Sequence, residues 1–387
     1  MRLLRRATVI FLILLAIVLL AAIGARAHRR GAAFVVIAAG MDGPVRRAAQ
    51  WQTTGVTALA PVSIPWRGGT LRTRAYQPDR GSARGIVLVP GVHAAGIDEP
   101  RLIGFARDLA ALGHPVLSVE LPDLVHYEIT TRTTDMIEDA IAWAMRRGEY
   151  AGTDGRIGVL GISFGGGLSV VAAGRPSIRG GVAFVMALGG HADLPRTLEY
   201  LCTGLQADGA TRPPHDYGLA IVLLGAAHLV VPPPQVDALR EAIRSYLEAS
   251  RLAMVDQAQA AIEFDRAKGL GHALPEPSRT YMGYVTERDV ARLGPVLLPH
   301  VAALGGDASL SPERSPLPSA PIFLLHGTDD NVVPAIESTL LAKYAASHGA
   351  QARVLLTPLI THAEVDRGST AAAIWRLVDF WADVLGE

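Results

Sequence analysis

The chain is short of cysteine: Cys202 is the only one among 387 residues. A single thiol builds neither an internal disulfide nor a cysteine-rich zinc site, and it does not fix a redox compartment. Histidine is present, but no pair has metal-ligand spacing. H-E-x-x-H, C-x-x-C and the P-loop pattern are all missing, so no metal or organic cofactor is expected. Charge of either sign is in no excess, with Lys+Arg 36 against Asp+Glu 36. A nucleic-acid-binding protein needs a basic surplus to neutralise phosphates, and none exists here. Charged residues make up only 19% and apolar residues 50%, which excludes wholesale disorder and allows a sizeable core.

What is abundant begins at the N-terminus. Ala7 to Ala25 holds no charged residue. As a helix its nineteen residues would reach roughly 28 Å, just enough for a hydrocarbon core of about 30 Å. Arg2, Arg5 and Arg6 precede it and favour a cytoplasmic N-terminus, although Arg26, Arg29 and Arg30 follow. Two outcomes are open. Residues 1–30 form a single-pass transmembrane helix, or a signal peptide cleaved after Ala25-Arg26-Ala27. Either way the rest is expected outside the cytoplasm, as a membrane-held or a secreted or periplasmic protein. Residues 31–55 read as a connector.

From 56 to 190 short apolar runs alternate with helical spacing. Strands are expected at Val56–Ile64, Leu71–Gln77, Ile86–Val89, Val116–Val119, Ile157–Leu160 and Val182–Leu188. Trp66-Arg67-Gly68-Gly69 is read as a hairpin turn, and helices fall at 99–112, 135–145 and 166–173. Such alternation indicates an α/β fold with a mostly parallel sheet flanked by helices. Residues 191–316 break the pattern with a long helical insert, read as a cap over the site. Within it, 235–268 is one long helix or two. The alternation returns at 317–387, with a strand at Ile322–Leu325, a helix at 335–347, a strand at 353–356 and a helix at 369–385.

Gly161-Ile162-Ser163-Phe164-Gly165 is a G-x-S-x-G pentapeptide set between a predicted strand and a predicted helix, the context of a nucleophile elbow. A serine needs a base, and the base needs an acid to orient it. His326-Gly327-Thr328-Asp329-Asp330-Asn331-Val332-Val333-Pro334 follows one late strand, and Thr361-His362-Ala363-Glu364 follows the next. Ser163, Asp330 and His362 then stand in the order Ser, Asp, His, each at the C-terminal end of a strand. Asp329 is the acid if the loop register differs by one residue. Asp193 is a more distant option, read first as a helix cap, and His326 is read as a brace for the acid loop.

These motifs together resemble the α/β-hydrolase superfamily, nearest its dienelactone-hydrolase-like and serine esterase branches, over 56–190 and 317–387. The resemblance implies an α/β-hydrolase fold with a helical cap insertion, and Ser163 as nucleophile, His362 as base and Asp330 as acid. It also implies an oxyanion hole from the backbone N–H groups of Phe164 and Val92, the latter in Pro90-Gly91-Val92-His93. Dienelactone hydrolases carry cysteine at the elbow, so their substrate does not transfer. Many relatives have glycine just before the histidine, where this chain has Thr361. His93 and His191 are candidates for substrate contact. The expected activity is hydrolysis of small carboxylic esters through an acyl-enzyme. Peptidase, thioesterase and acyltransferase chemistry share the same machinery, and a catalytically silent binding module is the alternative outside enzymes.

Overall fold

The structure is a computed structural model that describes residues 24–81, 83–215, 217–253, 255–360 and 371–386. Among these residues nine strands form one sheet: β1 (Val56–Ala58), β2 (Val62–Trp66), β3 (Gly69–Pro78), β4 (Ile86–Val89), β5 (Val116–Val119), β6 (Ile157–Ile162), β7 (Val182–Leu188), β8 (Ile322–Gly327) and β9 (Ala352–Thr357). Their spatial order is β1-β3-β5-β4-β6-β7-β8-β9, with β2 also paired to β3. Pairing is parallel from β5 through β9, and β3 runs antiparallel to β5.

The stretch Val56–Ile64, expected as one strand, is split. Ala58 pairs with Tyr76 and Val62 with Thr73, so three residues on one side face two on the other. Pro61, which has no N–H to give a ladder, lies in the bulge. The hairpin after β2 is tighter than expected, because Trp66 and Gly69 pair directly and leave Arg67-Gly68 as the loop.

Both sheet faces are covered, as the apolar runs of the central strands require. Val87, Val89, Leu117, Val119 and Val159 face the helices Thr131–Met145 and Phe164–Ala173. Ile86, Leu88, Val116, Leu160, Phe184 and Phe323 face the opposite layer, made by the helices Pro100–Ala111 and Ala371–Val384. A third helix, residues 24–38, completes that layer. Residues 31–38, expected as connecting chain, are thus part of the fold. Phe34 packs on Trp381 at 4.1 Å between centroids and edge-on to Phe105. Gly31 lies so close to the neighbouring helix that a Cβ there would come within 2.5 Å of the Val378 carbonyl oxygen. The transmembrane segment expected over residues 7–25 lies, up to residue 23, outside the described residues. Among the described residues no helix is long and apolar enough to cross a membrane.

The insert between β7 and β8 is helical. Its centre is Gly218–Val230, apolar on all sides and buried up to its last turn, where His228 and Leu229 reach solvent. The long pattern at 235–268 resolves into two helices, Val236–Leu252 and Gln257–Ala273, because Asp256 caps the second through the N–H groups of Ala258 and Gln259. The two ends of the insert are tied together. Buried Glu337 accepts hydrogen bonds from the N–H groups of Ala192 and Asp193 and from the Arg196 guanidinium. Arg196 also reaches Glu313, and Arg314 reaches Asp193.

Candidate active site

Ser163 sits at the turn from β6 into the helix Phe164–Ala173 with φ 54° and ψ −132°. A non-glycine residue there is strained, and such strain collects at functional sites. The neighbouring glycines are forced by contact. A Cβ at Gly161 would lie 2.4 Å from the Gly165 carbonyl oxygen, and one at Gly165 would lie 2.1 Å from that of Pro90. Those approaches bring the end of β4 against the turn: a Cβ at Gly91 would be 3.0 Å from the Ser163 Cβ and 3.7 Å from its Oγ. Val92, next in the chain, therefore lies beside the serine. Phe164 opens the helix, so its N–H has no acceptor one turn earlier and sits at the positive end of the helix dipole.

Asp330 is buried in the loop after β8. Its Oδ1 accepts from the N–H groups of Val332 and Val333 at 2.8 and 3.0 Å. Its Oδ2 is 3.3 Å from Nε2 of His326, which is also buried and held by Ser338 and the Val333 carbonyl. His326 is thus the brace that its position suggested. Asp329 points the other way, with a side chain 73% exposed and paired to Arg212. Asp193 caps the helix Leu194–Thr203 through the Arg196 N–H and binds Arg314. His362 lies outside the described residues.

His191 does not fit the expected role of a substrate contact. Its ring is fully buried, its Nε2 bonds the Leu310 carbonyl, and a Cβ at Gly167 would lie 2.4 Å from its Cε1. It fills the space that a glycine leaves beside the helix after the elbow. Burial also holds this imidazole below the usual histidine range. Cys202 is likewise a packed side chain, its thiol pushed up to about 12 by burial.

His93 is placed differently. It lies in the loop after β4, half-buried, with Nδ1 accepting from the Ala95 N–H at 3.1 Å. Burial lowers its pKa, and the charges it feels include Glu248 and Arg251 of the insert helix Val236–Leu252. The loop after β4 and the insert are thus close enough here for His93 to feel the insert's charges. Two tyrosines join them. Tyr127 stands against the Ala94 backbone with φ 62°, its hydroxyl pushed up to about 12 by burial and by Glu248. Tyr217 of the insert packs at a tilt on His215, 4.2 Å between ring centroids, and lies near enough to Asp330 and Tyr127 to feel both. The backbone N–H of His215 donates to the Asn331 carbonyl, next to Asp330. Neither tyrosine belongs to a motif, so nothing in the sequence singled them out.

No family model matches the sequence, and no curated protein matches it. Solved structures do. An esterase from Pyrobaculum calidifontis is 16% identical and superposes with a TM-score of 0.45 over 85% of each chain. A thermostable carboxylesterase cloned from a metagenomic library gives 17% and 0.44 over 91% of this chain and 92% of its own. Brefeldin A esterase, a bacterial homologue of human hormone-sensitive lipase, gives 15% and 0.46 over 95% and 84%. The fold itself rests on the coordinates: an antiparallel strand followed by parallel strands in the order β5-β4-β6-β7-β8-β9, a strained serine after β6 and a buried aspartate after β8. This chain has the α/β-hydrolase fold.

Proposed function

We propose that the protein is a serine hydrolase of carboxylic esters. The observation that carries this reading is the backbone at Ser163, a buried serine held at positive φ between glycines with the loop after β4 pressed against it. Such a turn costs about 1–3 kcal/mol and persists only where the surroundings enforce it. In this reading His362 removes the Ser163 proton as the hydroxyl attacks the ester carbonyl. Asp330 orients the imidazole and stabilises its charged form. The carbonyl oxygen, now an oxyanion, is met by the N–H groups of Val92 and Phe164. His362 then returns the proton to the leaving alcohol, and a water activated by the same imidazole releases the acyl group.

The insert shapes access, since it bonds to the loop of Asp330 through His215 to Asn331 and Arg212 to Asp329, and its Glu248 and Arg251 lie close enough to His93 to act on its charge. We further propose that the apolar segment at 7–25 tethers the domain to a membrane.

Fluorophosphonate labelling tests the nucleophile. The wild-type chain should label and hydrolyse p-nitrophenyl esters, and Ser163→Ala should do neither while keeping its thermal midpoint. A wild type that does not label would leave a binding module. Labelling with no ester turnover across chain lengths would shift the chemistry to amides or acyl transfer.

A further inference from the structure

We infer that the first turn of the helix Ala371–Val384, with Ile374 and Trp375 at its surface, is the face on which this domain rests against a lipid bilayer. The inference builds on the proposed tether and adds an orientation to it. Trp375 is 62% exposed and Ile374 42%. Single exposed apolar residues are ordinary on protein surfaces. What sets this pair apart is its location.

The helix at 24–38 runs beside Ala371–Val384 in the same direction. His28 stacks on Trp375 at 5.8 Å, Gly31 packs on Val378 and Phe34 packs on Trp381. The contacts advance together, so both helices begin at the same end of the molecule. Gly24 precedes His28 by four residues, about 6 Å of helix. The uncharged run Ala7–Ile23 therefore joins the fold within one turn of Trp375.

The charges around the pair suit the same partner. Arg26, Arg29 and Arg376 are exposed there. Among the described residues the acids nearby are occupied: Asp379 by His28 and Arg353, and Asp383 by Arg353. An indole flanked by arginines, next to an apolar segment, matches the headgroup layer of a membrane carrying anionic lipid. The stacked, hydrogen-bonded His28 fixes the indole in place.

The full-length chain would be reconstituted into vesicles of phosphatidylethanolamine and phosphatidylglycerol, with spin labels at Ile374→Cys and, separately, at Ile262→Cys and Trp51→Cys. Buried Cys202 stays unlabelled in the folded protein, and circular dichroism checks each variant. Collision with oxygen against a water-soluble nickel complex should rise several-fold at 374 relative to 262 and 51. If the protein floats with vesicles but 374 is as water-exposed as 262, the tether stands and this inference fails. If lipid contact is equal at all three sites, the orientation fails. If the protein does not float with vesicles, tether and inference fall together.

Discussion

Asp330 and His326 lie four residues apart and share one buried knot: Oδ2 of the aspartate is 3.3 Å from Nε2 of the histidine, whose hydrogen the Val333 carbonyl also accepts. Two backbone N–H groups hold the other carboxylate oxygen. The carboxylate is therefore fixed before any substrate arrives, as an orienting acid requires. Asp330→Asn should lower kcat by about four orders of magnitude, the loss expected when an orienting acid becomes an amide and the wrong imidazole tautomer is held. Asp329→Asn, which touches only Arg212 at the surface, should leave kcat nearly unchanged. Steady-state hydrolysis of p-nitrophenyl acetate by both variants checks the assignment. Loss of activity in the Asp329 variant alone would reverse it.

This distinction shows what the sequence holds and what it does not. Strand-and-helix alternation and the G-x-S-x-G turn are local signals, and they mark β4 to β9 and the turn at Ser163 in the sequence itself. The motif already favours Asp330 over Asp329, and the loop conformation adds the reason: Asp330 is buried and held by two backbone N–H groups, whereas Asp329 is exposed. The helix at 24–38 was hidden for another reason. Its buried residues, Ala33, Phe34 and Val35, sit in a short apolar stretch set off from residues 7–25 by Arg26, Arg29 and Arg30, and hydropathy alone does not say what so short a stretch packs against. Tyr127 and Tyr217 converge only through tertiary packing, and His191 looked available until its ring proved sealed beside Gly167.

Gly165 couples the turn at Ser163 to the loop after β4. Its missing Cβ leaves room for the Pro90 carbonyl, which a methyl group would meet at 2.1 Å. Backbone cannot swing aside as a side chain does, so Gly165→Ala must displace the loop carrying Gly91 and Val92. We expect a stability loss of about 1–3 kcal/mol from overpacking. The fall in kcat should exceed what that loss explains, since one displaced oxyanion donor costs about 3–4 kcal/mol in the transition state. Urea unfolding and kcat, measured on the same preparation, separate the two effects. A variant with normal kcat would remove the loop after β4 from the reaction.

Glu337 anchors the start of the insert from a single buried carboxylate, and Arg196 carries the link on to Glu313 at its end. Glu337→Ala would leave the Ala192 and Asp193 N–H groups without their acceptor and strip Arg196 of its main partner. Unpaired buried N–H groups cost about 1–3 kcal/mol each, so a total of roughly 3–5 kcal/mol is expected. The damage should be local first. Hydrogen exchange should quicken at 191–203 and in the insert before it does in β4 to β6. Uniform loss of protection across the sheet would mean that the insert and the core unfold as one unit.

Two titrating groups near the N-terminal helices should bend the pH–stability curve in opposite directions. Nδ1 of His114 faces the Arg84 carbonyl and its Nε2 faces Arg30, so the ring is neutral, donating from Nδ1 and accepting at Nε2. Burial first, and then Arg30, lower its pKa to about 4. A depressed folded-state value means that its stabilising effect is whole above the unfolded value near 6.5 and is lost as pH falls toward 4. The loss is on the order of 3 kcal/mol. His114→Gln keeps a donor and an acceptor without titrating, so its stability should change less over that interval. Asp108 behaves in reverse. It lines a cleft with Ile37, Arg46 and Gln50, and burial raises its carboxyl to about 6, partly offset by Arg46. A raised acid costs stability once ionised above pH 6 and costs nothing below about pH 4. Water still reaches the side chain, so Asp108→Asn should stabilise by about 1 kcal/mol at pH 8, with the gain gone at pH 4. Urea midpoints for the wild type and both variants from pH 4 to 8 measure the two slopes. A wild-type curve that His114→Gln leaves unchanged in shape would mean that Arg30 and His114 do not meet.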